Sequence, residues 1–416
     1  MLLKMPLLPI AKRIVQRLQD AGHIAYFAGG WVRDFLMKHP SDDIDIATSA
    51  DVTEIARLFP KTIPVGIAFG IIIVVEEGHQ FEIATFRKDR PSLDGRRPEG
   101  IDPATPEEDA QRRDFTINGL FYDPMTEKIY DYVDGKADIE KKIIKAIGDP
   151  HARFLEDRLR MIRAVRYSTR FNFPIDPFTT EAILAHAQDL FPSVAIERVF
   201  LEFKKMSLFS RFDQGLITLH KLNLLPTIFP ELAGIPLAEI EKRIHPIKYF
   251  PKNTPTIAEL IELFPGNSLD NLIKLCEYLK LSNPDKQFVK YLHHAKNLLQ
   301  MPKEWRQNLE LVEWAHLYAS PHAPLVLEII AARLSSSEKT IFLQEHTERQ
   351  TFLSQSISRI TSHTPLVPAD SLLKQGLKPG KHLGLLLKEA ERLAINHQLS
   401  NPNEVLALLK KSSLWE

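Results

Sequence analysis

The chain has 416 residues, 44% hydrophobic and 25% charged, with 53 basic and 53 acidic side chains and a formal net charge of zero. That length predicts two or more domains, and the neutral balance argues against an unspecific nucleic-acid coat while allowing a local basic groove. A single cysteine, Cys276, excludes an internal disulfide and a cysteine metal cluster and fits a reducing cytoplasm; no apolar run is long enough to predict a transmembrane helix.

The opening MLLKMPLLPIAKRIVQRLQD runs from apolar to basic, the reverse of a secretory signal, and lacks a small-residue cleavage site. It is read as an amphipathic helix packed on the first domain. HIAYFAG then reads as a strand, GGWVRDFLM as a helix, DDIDIAT as a strand and SADVTEIARLF as a helix capped by serine or aspartate. FGIIIVVEEG and HQFEIATFR are β-rich runs separated by Glu77-Gly78-His79, a hairpin signal. The polar stretch RKDRPSLDGRRPEGIDPATPEEDA cannot build a core and is expected to be a mobile loop. From about Lys136 the strand signals fade, and FLEDRLRMIRAVRYSTRF, DPFTTEAILAHAQDLF, IERVFLEFKKMSL and FDQGLITLHKLNLL all carry helical spacing.

Asp43 and Asp45 are the sharpest local feature. On a strand, residues i and i+2 share a face, so the two carboxylates project together while Ile44 and Ile46 face a core. Side-by-side carboxylates repel unless they share a proton or a cation sits between them, and hard oxygen donors point to Mg²⁺. Alone, the spacing fits a solvated acidic turn. The context changes that: GGWVRD follows a strand and opens a helix, so Gly29 and Gly30 let backbone N–H groups approach an anion, and Arg33 in the first turn can pair with a phosphate. Together these predict a triphosphate cradle beside a metal site suited to two-metal phosphoryl transfer. Glu82, in FEIATFR, is the candidate third carboxylate; a surface acid on an alternating strand is the alternative.

Several separated motifs now resemble one family: GGWVRD, DIDIAT, FEIATFR, RRDFTING, EDRLRMIRAVRY and ERVFLEFKKM, in family order over roughly residues 25–206, with LKPGKHLGLLLKEAERLA near the end. The chain resembles the bacterial tRNA nucleotidyltransferases that build the 3′-terminal CCA, a class shared with bacterial poly(A) polymerases. The resemblance implies an α+β protein. A small mixed-sheet head like that of DNA polymerase beta would cover residues 1–140, followed by an all-α neck at 141–210, body at 211–330 and tRNA-binding tail at 331–416. It implies CTP, ATP and tRNA as partners, with no membrane and no protein partner. It also implies catalysis at Asp43, Asp45 and Glu82, with Mg²⁺ on the aspartates, and nucleotide contacts from Gly29, Gly30, Arg33 and Arg113. Arg112 with Asp114 has the structural alternative of an ion pair at a helix start, and Asn118 that of a hydrogen-bonder.

Asp157, Arg160, Arg163 and Arg166 recur every three residues and so share one drifting helix face, with Leu159, Ile162, Val165 and Tyr167 on the buried side. A solvated, salt-bridged face is the ordinary reading of such a charge run. The resemblance instead assigns Asp157 and Arg160 to the base edge. Cytosine and adenine both carry an exocyclic amine beside a ring-nitrogen acceptor, whereas guanine and uracil present a ring N–H there. One aspartate plus one arginine can therefore select C and A. Arg163 and Arg166 would reach the triphosphate or brace the pair, and Arg198 and Glu202 would buttress the helix. In the resembled family a loop at the position of the polar stretch helps switch from C to A addition, and this one, with DGRRP at 94–98, is not shortened. The rival readings are a poly(A) polymerase, an enzyme adding only A, and a noncatalytic tRNA-binding module. VGIAFG at 65–70 and the mixed-charge tail argue against the first, and the intact aspartate pair against the last.

Overall fold

The computed structural model describes residues 7–39, 41–90, 100–299, 301 and 308–415. These form two units, Met1–Glu241 and Lys242–Glu416. In the first, helix α1 (Leu8–Asp20) buries Ile10, Ile14, Val15 and Leu18 against the sheet, as its amphipathic spacing predicts. Strands β1 (Ala25–Ala28), β2 (Asp45–Thr48), β3 (Thr62–Ile63), β4 (Ile71–Glu76), β5 (His79–Thr85), β8 (Leu120–Asp123) and β9 (Lys128–Asp131) make one mixed sheet in the order β3-β4-β5-β2-β1-β8-β9. Only β2 and β5 run parallel within it. The β4–β5 turn is the predicted hairpin: Glu77 and Gly78 both have positive φ, the geometry of a two-residue type I′ loop.

Helix α2 (Gly30–Leu36) follows β1, and α3 (Val52–Leu58) is capped by Asp51 in a reciprocal box with Glu54. One face of the sheet, through Phe27, Ile46, Phe81 and Ile83, packs on α1 and Trp31. Ala28, Ala47, Phe86 and Phe121 lie in a second cluster with Ala110 of α4 (Pro106–Gln111). Alternation along β2 thus turns Asp45 away from the α1 side, on the face of Ala47.

Three expectations are corrected here. Strands β8 and β9 are additional to the strands expected: Leu120–Asp123 is buried throughout and Lys128–Asp131 pairs with it across a turn. The polar stretch expected to be a mobile loop is ordered at both ends: β6 (Arg87–Asp89) pairs with β7 (Ile101–Pro103), and Thr105 with Glu108 forms a capping box that starts α4. DGRRP at 94–98 lies outside the described residues. Finally, the helix read through FLEDRLRMIRAVRYSTRF is two helices, α6 (Pro150–Glu156) and α7 (Leu159–Phe171). Asp157 sits between them in an extended conformation, and its Oδ1 accepts the Leu159 N–H at 3.1 Å. Aspartate competes for backbone donors in this way, which favours helix starts over helix interiors.

The rest of the first unit is helical, with α5 (Gly135–Glu140), α8 (Pro177–His186) and α9 (Ile196–Ser207), the last packed on α7. The second unit is helical throughout its described elements, with a core that includes Leu372, Leu386, Ala390, Val405 and Leu409. Among the described residues no helix is long and apolar enough to cross a membrane.

Candidate active site

A cavity of about 720 Å³ opens between the sheet and α7 in the first unit. Its lining brings together every residue predicted for the site: Gly29, Gly30, Arg33, Asp43, Asp45, Glu82, Arg113, Asp157, Arg160, Arg163 and Arg166.

The carboxylate end is set by strand register. Ile46 pairs with Ile83, so Asp45 and Glu82, one residue back on each parallel strand, stand side by side. Asp43 is exposed just ahead of β2, and Ile44 and Ile46 are buried, as alternation requires. The Asp45 carboxyl is pushed up to about 7, first by burial and then by Asp43 and Glu82, against the pull of Arg113. No group of three or more His, Cys, Asp or Glu among the described residues is arranged to hold a metal ion. Asp43 and Asp45 nonetheless present hard oxygen donors whose mutual repulsion a dication would relieve, with substrate oxygens completing its shell.

Arg113 lies over the glycine corner. It donates to Asp109 through Nε at 3.1 Å and Nη2 at 3.0 Å, and through Nη1 to the Asn118 carbonyl at 3.2 Å. Burial works against the Asp109 carboxylate, but Arg113 and Arg112 hold it below its usual range. Gly29 has φ 61° and ψ −118°, and a Cβ there would come within 2.7 Å of Arg113 Nη1. Gly29→Ala is thus expected to strain the backbone by about 1–3 kcal/mol and to displace the guanidinium. Nucleotide KM should rise several-fold; an unchanged KM would detach Arg113 from nucleotide binding.

Arg33 lines the cavity beside the glycine corner and is already engaged by protein partners. It is 2% exposed, gives Nε to Asp34 Oδ1 at 2.9 Å and Nη1 to Asn118 Oδ1, and lies 4.7 Å from the centre of the Phe171 ring. These contacts make it an anchor between α2 and α7. Asn118 also donates to Asp114 at 3.0 Å, the structural role expected of it. Arg112 pairs with Asp109, and Asp114 with Arg163 across 49 positions of sequence.

On α7, Arg163 donates to Asp114 through Nε at 2.8 Å and to the Tyr167 hydroxyl at 3.2 Å. Arg166 is buried against Glu202 of α9. Arg160 gives Nη1 to Glu156 at 2.7 Å and Nη2 to the Arg112 carbonyl at 3.1 Å. Asp157 Oδ2 accepts from Arg198 at 2.9 Å, so Arg198 and Glu202 each hold a residue of the stripe from α9. A carboxylate oxygen accepts more than one bond, and a guanidinium carries five donors, so Asp157 and Arg160 retain capacity for a ligand.

Burial opposes ionisation of Asp114, but Arg163 and the Asn118 hydrogen bond hold its carboxyl well below the usual range. The sign follows from that depression: Asp114 contributes stability above about pH 4, and the contribution is lost as pH falls toward the folded value. Asp114→Asn is expected to cost about 3–5 kcal/mol in denaturant unfolding at pH 7, with the gap to wild type closing in acid. A gap that persists at low pH would contradict the pairing.

Sequence reading missed Arg170, which gives Nη2 to Asp34 at 2.9 Å, and Lys205, Leu208 and Phe209, which line the same cavity. The spacing Arg163, Arg166, Arg170 continues the stripe and could have revealed the first. Leu208 is 78% exposed, and no signal in the sequence marks it as pocket-lining.

A paired-aspartate strand, a third acid on the neighbouring strand and a glycine corner under an arginine define a nucleotidyltransferase head. Residues 25–145 match the poly A polymerase head domain, and residues 172–235 match a probable RNA and SrmB-binding site of polymerase A. The CCA-adding enzyme of Pediococcus pentosaceus is 33% identical, covering 96% of both chains, and that of Anoxybacillus flavithermus is 31% identical over 95% of each. The structure of the Bacillus stearothermophilus CCA-adding enzyme in complex with CTP superposes with a TM-score of 0.80 at 27% identity, covering 96% of each chain. The chain belongs to the CCA-adding enzymes, a family of tRNA nucleotidyltransferases that need divalent metal ions.

Proposed function

We propose that this protein adds C, C and A to the 3′ end of tRNA from CTP and ATP in the cytoplasm, releasing pyrophosphate, with Mg²⁺ as its metal and no nucleic-acid template. One observation carries the reading: a single cavity joins the carboxylates Asp43, Asp45 and Glu82 to the pair Asp157 and Arg160.

Asp43 and Asp45 would hold Mg²⁺. Bound there, the ion would lower the pKa of the tRNA 3′ hydroxyl and neutralise charge developing on the phosphates. Glu82 adds its negative charge to that corner, which helps to push the Asp45 carboxyl up, and would serve as the third carboxylate. The absence of a Cβ at Gly29 and Gly30 lets the guanidinium groups of Arg113 and Arg33 lie against the corner, where they would meet the nucleotide phosphates. Asp157 accepts from the exocyclic amine of C or A, and Arg160 donates to the adjacent ring nitrogen. Arg198 holds the Asp157 carboxylate in the orientation that reading requires, and Asp114 does the same for Arg163 beside it. Arg33, beside the glycine corner, would pair with a phosphate, and Arg163 and Arg166 would reach the triphosphate or brace the base-reading pair. The parts would be a head at 1–140, neck at 141–210, body at 211–330 and tail at 331–416. Lys378 and Lys381, at the start of the helix Lys381–Asn396, would meet tRNA phosphates.

Pyrophosphate release tests this directly. The protein with CTP and a tRNA lacking its last three residues should release pyrophosphate only when Mg²⁺ is present. Release without tRNA, or undiminished in chelator, would overturn the reading.

A further inference from the structure

The unit Lys242–Glu416 holds a second cavity, of about 470 Å³, that the proposed reaction does not use. Its polar wall is an unusual charge arrangement. Glu262 is buried, and one oxygen of its carboxylate, Oε1, takes both Lys296 Nζ, at 2.8 Å, and Arg333 Nη2. The two cations are therefore pressed against each other, and both are mostly covered, with side chains 19% and 21% exposed. Burial lowers the proton affinity of Lys296, Glu262 raises it, and Arg333 lowers it again. Arg243 stands on the same wall, with Nη1 donating to the Leu263 carbonyl at 2.9 Å. Lys296 and Arg333 thus share a single carboxylate oxygen in the lining of this recess.

As a purely structural device this is costly. Arg333 also donates Nη1 to the Ile329 carbonyl at 2.9 Å and lies over the Phe250 ring, but holding two cations on one carboxylate oxygen leaves their mutual repulsion in place. The situation is the converse of the Asp45 corner, where crowded carboxylates are relieved by a cation. Here an anion supplies the relief. A guanidinium fork beside a compact ammonium suits a tetrahedral oxyanion. The volume falls in the range of small-molecule sites, and Phe264, Leu272 and Leu292 add apolar surface to the lining for an attached organic group.

We propose that the cavity around Lys296, Arg333 and Glu262 binds a phosphate group, independently of the nucleotide site in the other unit. Two sources share that chemistry: a small phosphorylated molecule, and a phosphodiester of bound RNA. The test compares the full-length wild type with Lys296→Met and Glu262→Gln, using inorganic phosphate, adenosine monophosphate and tRNA as probes. Calorimetric titration and phosphate-induced thermal stabilisation read the first two; tRNA affinity across a salt series reads the third. Binding at the nucleotide site is common to all three proteins, so differences report this cavity.

Lys296→Met is expected to weaken one class of site about tenfold or more, and Glu262→Gln, which keeps both cations and removes the competing carboxylate, to tighten it. A free-molecule source shows this with inorganic phosphate or adenosine monophosphate. An RNA source shows it as weaker tRNA binding by Lys296→Met, with a salt slope reduced by about one. Should Lys296→Met fail to fold, Glu262→Gln decides alone: tighter binding supports the site and unchanged or weaker binding overturns it. Responses to all three probes that match wild type in both variants overturn it as well.

Discussion

Asp45→Asn is expected to reduce nucleotide incorporation by about 10³-fold or more while leaving the protein folded, and Asp43→Ala to do the same. Metal assistance of a phosphoryl transfer supplies several kcal/mol of charge stabilisation in the transition state. Losing about 4 kcal/mol of it corresponds to about three decades at 1.4 kcal/mol per decade. The fold should not suffer, because the environment of Asp45 already disfavours its charge: burial, Asp43 and Glu82 all push its carboxyl up. An uncharged side chain of the same shape removes that repulsion. Single-turnover incorporation of labelled CTP, alongside the thermal midpoint of the variant, measures both halves. Near-normal turnover by either variant would remove the aspartate pair from the chemistry, and a collapsed midpoint would make the loss of activity uninformative about metal.

Asp157→Ala is expected to relax nucleotide choice more than it slows transfer. A bidentate protein–base pair discriminates by about 1–3 kcal/mol, so the ratios of kcat/KM for CTP over UTP and for ATP over GTP should each fall about tenfold or more. The wrong base then no longer sets a carbonyl against a carboxylate. Because Asp157 also accepts from Arg198 and from the Leu159 N–H, its removal disturbs more than the base contact. Arg198→Met separates the two effects. It loosens the aspartate without removing the acceptor, so it should lower activity for all nucleotides with a smaller change in either ratio. If Asp157→Ala keeps both ratios while activity falls uniformly, the residue is a scaffold and the base is read elsewhere.

Much of the head could be read from the sequence because its signals are local. Alternation places Asp43 and Asp45 together, Glu77-Gly78 marks a turn, and Asp51 with Glu54 caps a helix. The order of the sheet could not be read in this way. Pairing of β1 with β8 joins residues far apart in the chain, and β8 and β9 were overlooked because Leu120–Asp131 carries a weaker pattern than the apolar runs before it. Helical periodicity ran unbroken through Asp157, which hid the break that its side chain makes. The capping box Thr105–Glu108 was present in the polar stretch but was outweighed by its composition.

At the site, residue types were legible and partners were not. Sequence marked Arg33 as cationic and near the glycine corner, but only the fold shows that Asp34, Asn118 and the Phe171 ring absorb its guanidinium. The same holds for Arg163 with Asp114 and Arg166 with Glu202, pairs separated by 49 and 36 positions. Such pairings depend on helix packing and strand register, which no local window contains. Asp157 and Arg160 fared differently: each is held in place, yet each keeps hydrogen-bonding capacity toward the cavity.

The central claim is that one cavity both selects C and A and transfers them to a tRNA end. Its most direct test is the mass of the product when tRNA lacking its last three residues is incubated with the protein, Mg²⁺ and all four nucleoside triphosphates. The expected product grows by two cytidylates and one adenylate and then stops, with only the cytidylates added when ATP is withheld. A ladder of adenylates, addition of A alone to an end already carrying two cytidylates, or incorporation of U and G at comparable rates would contradict it.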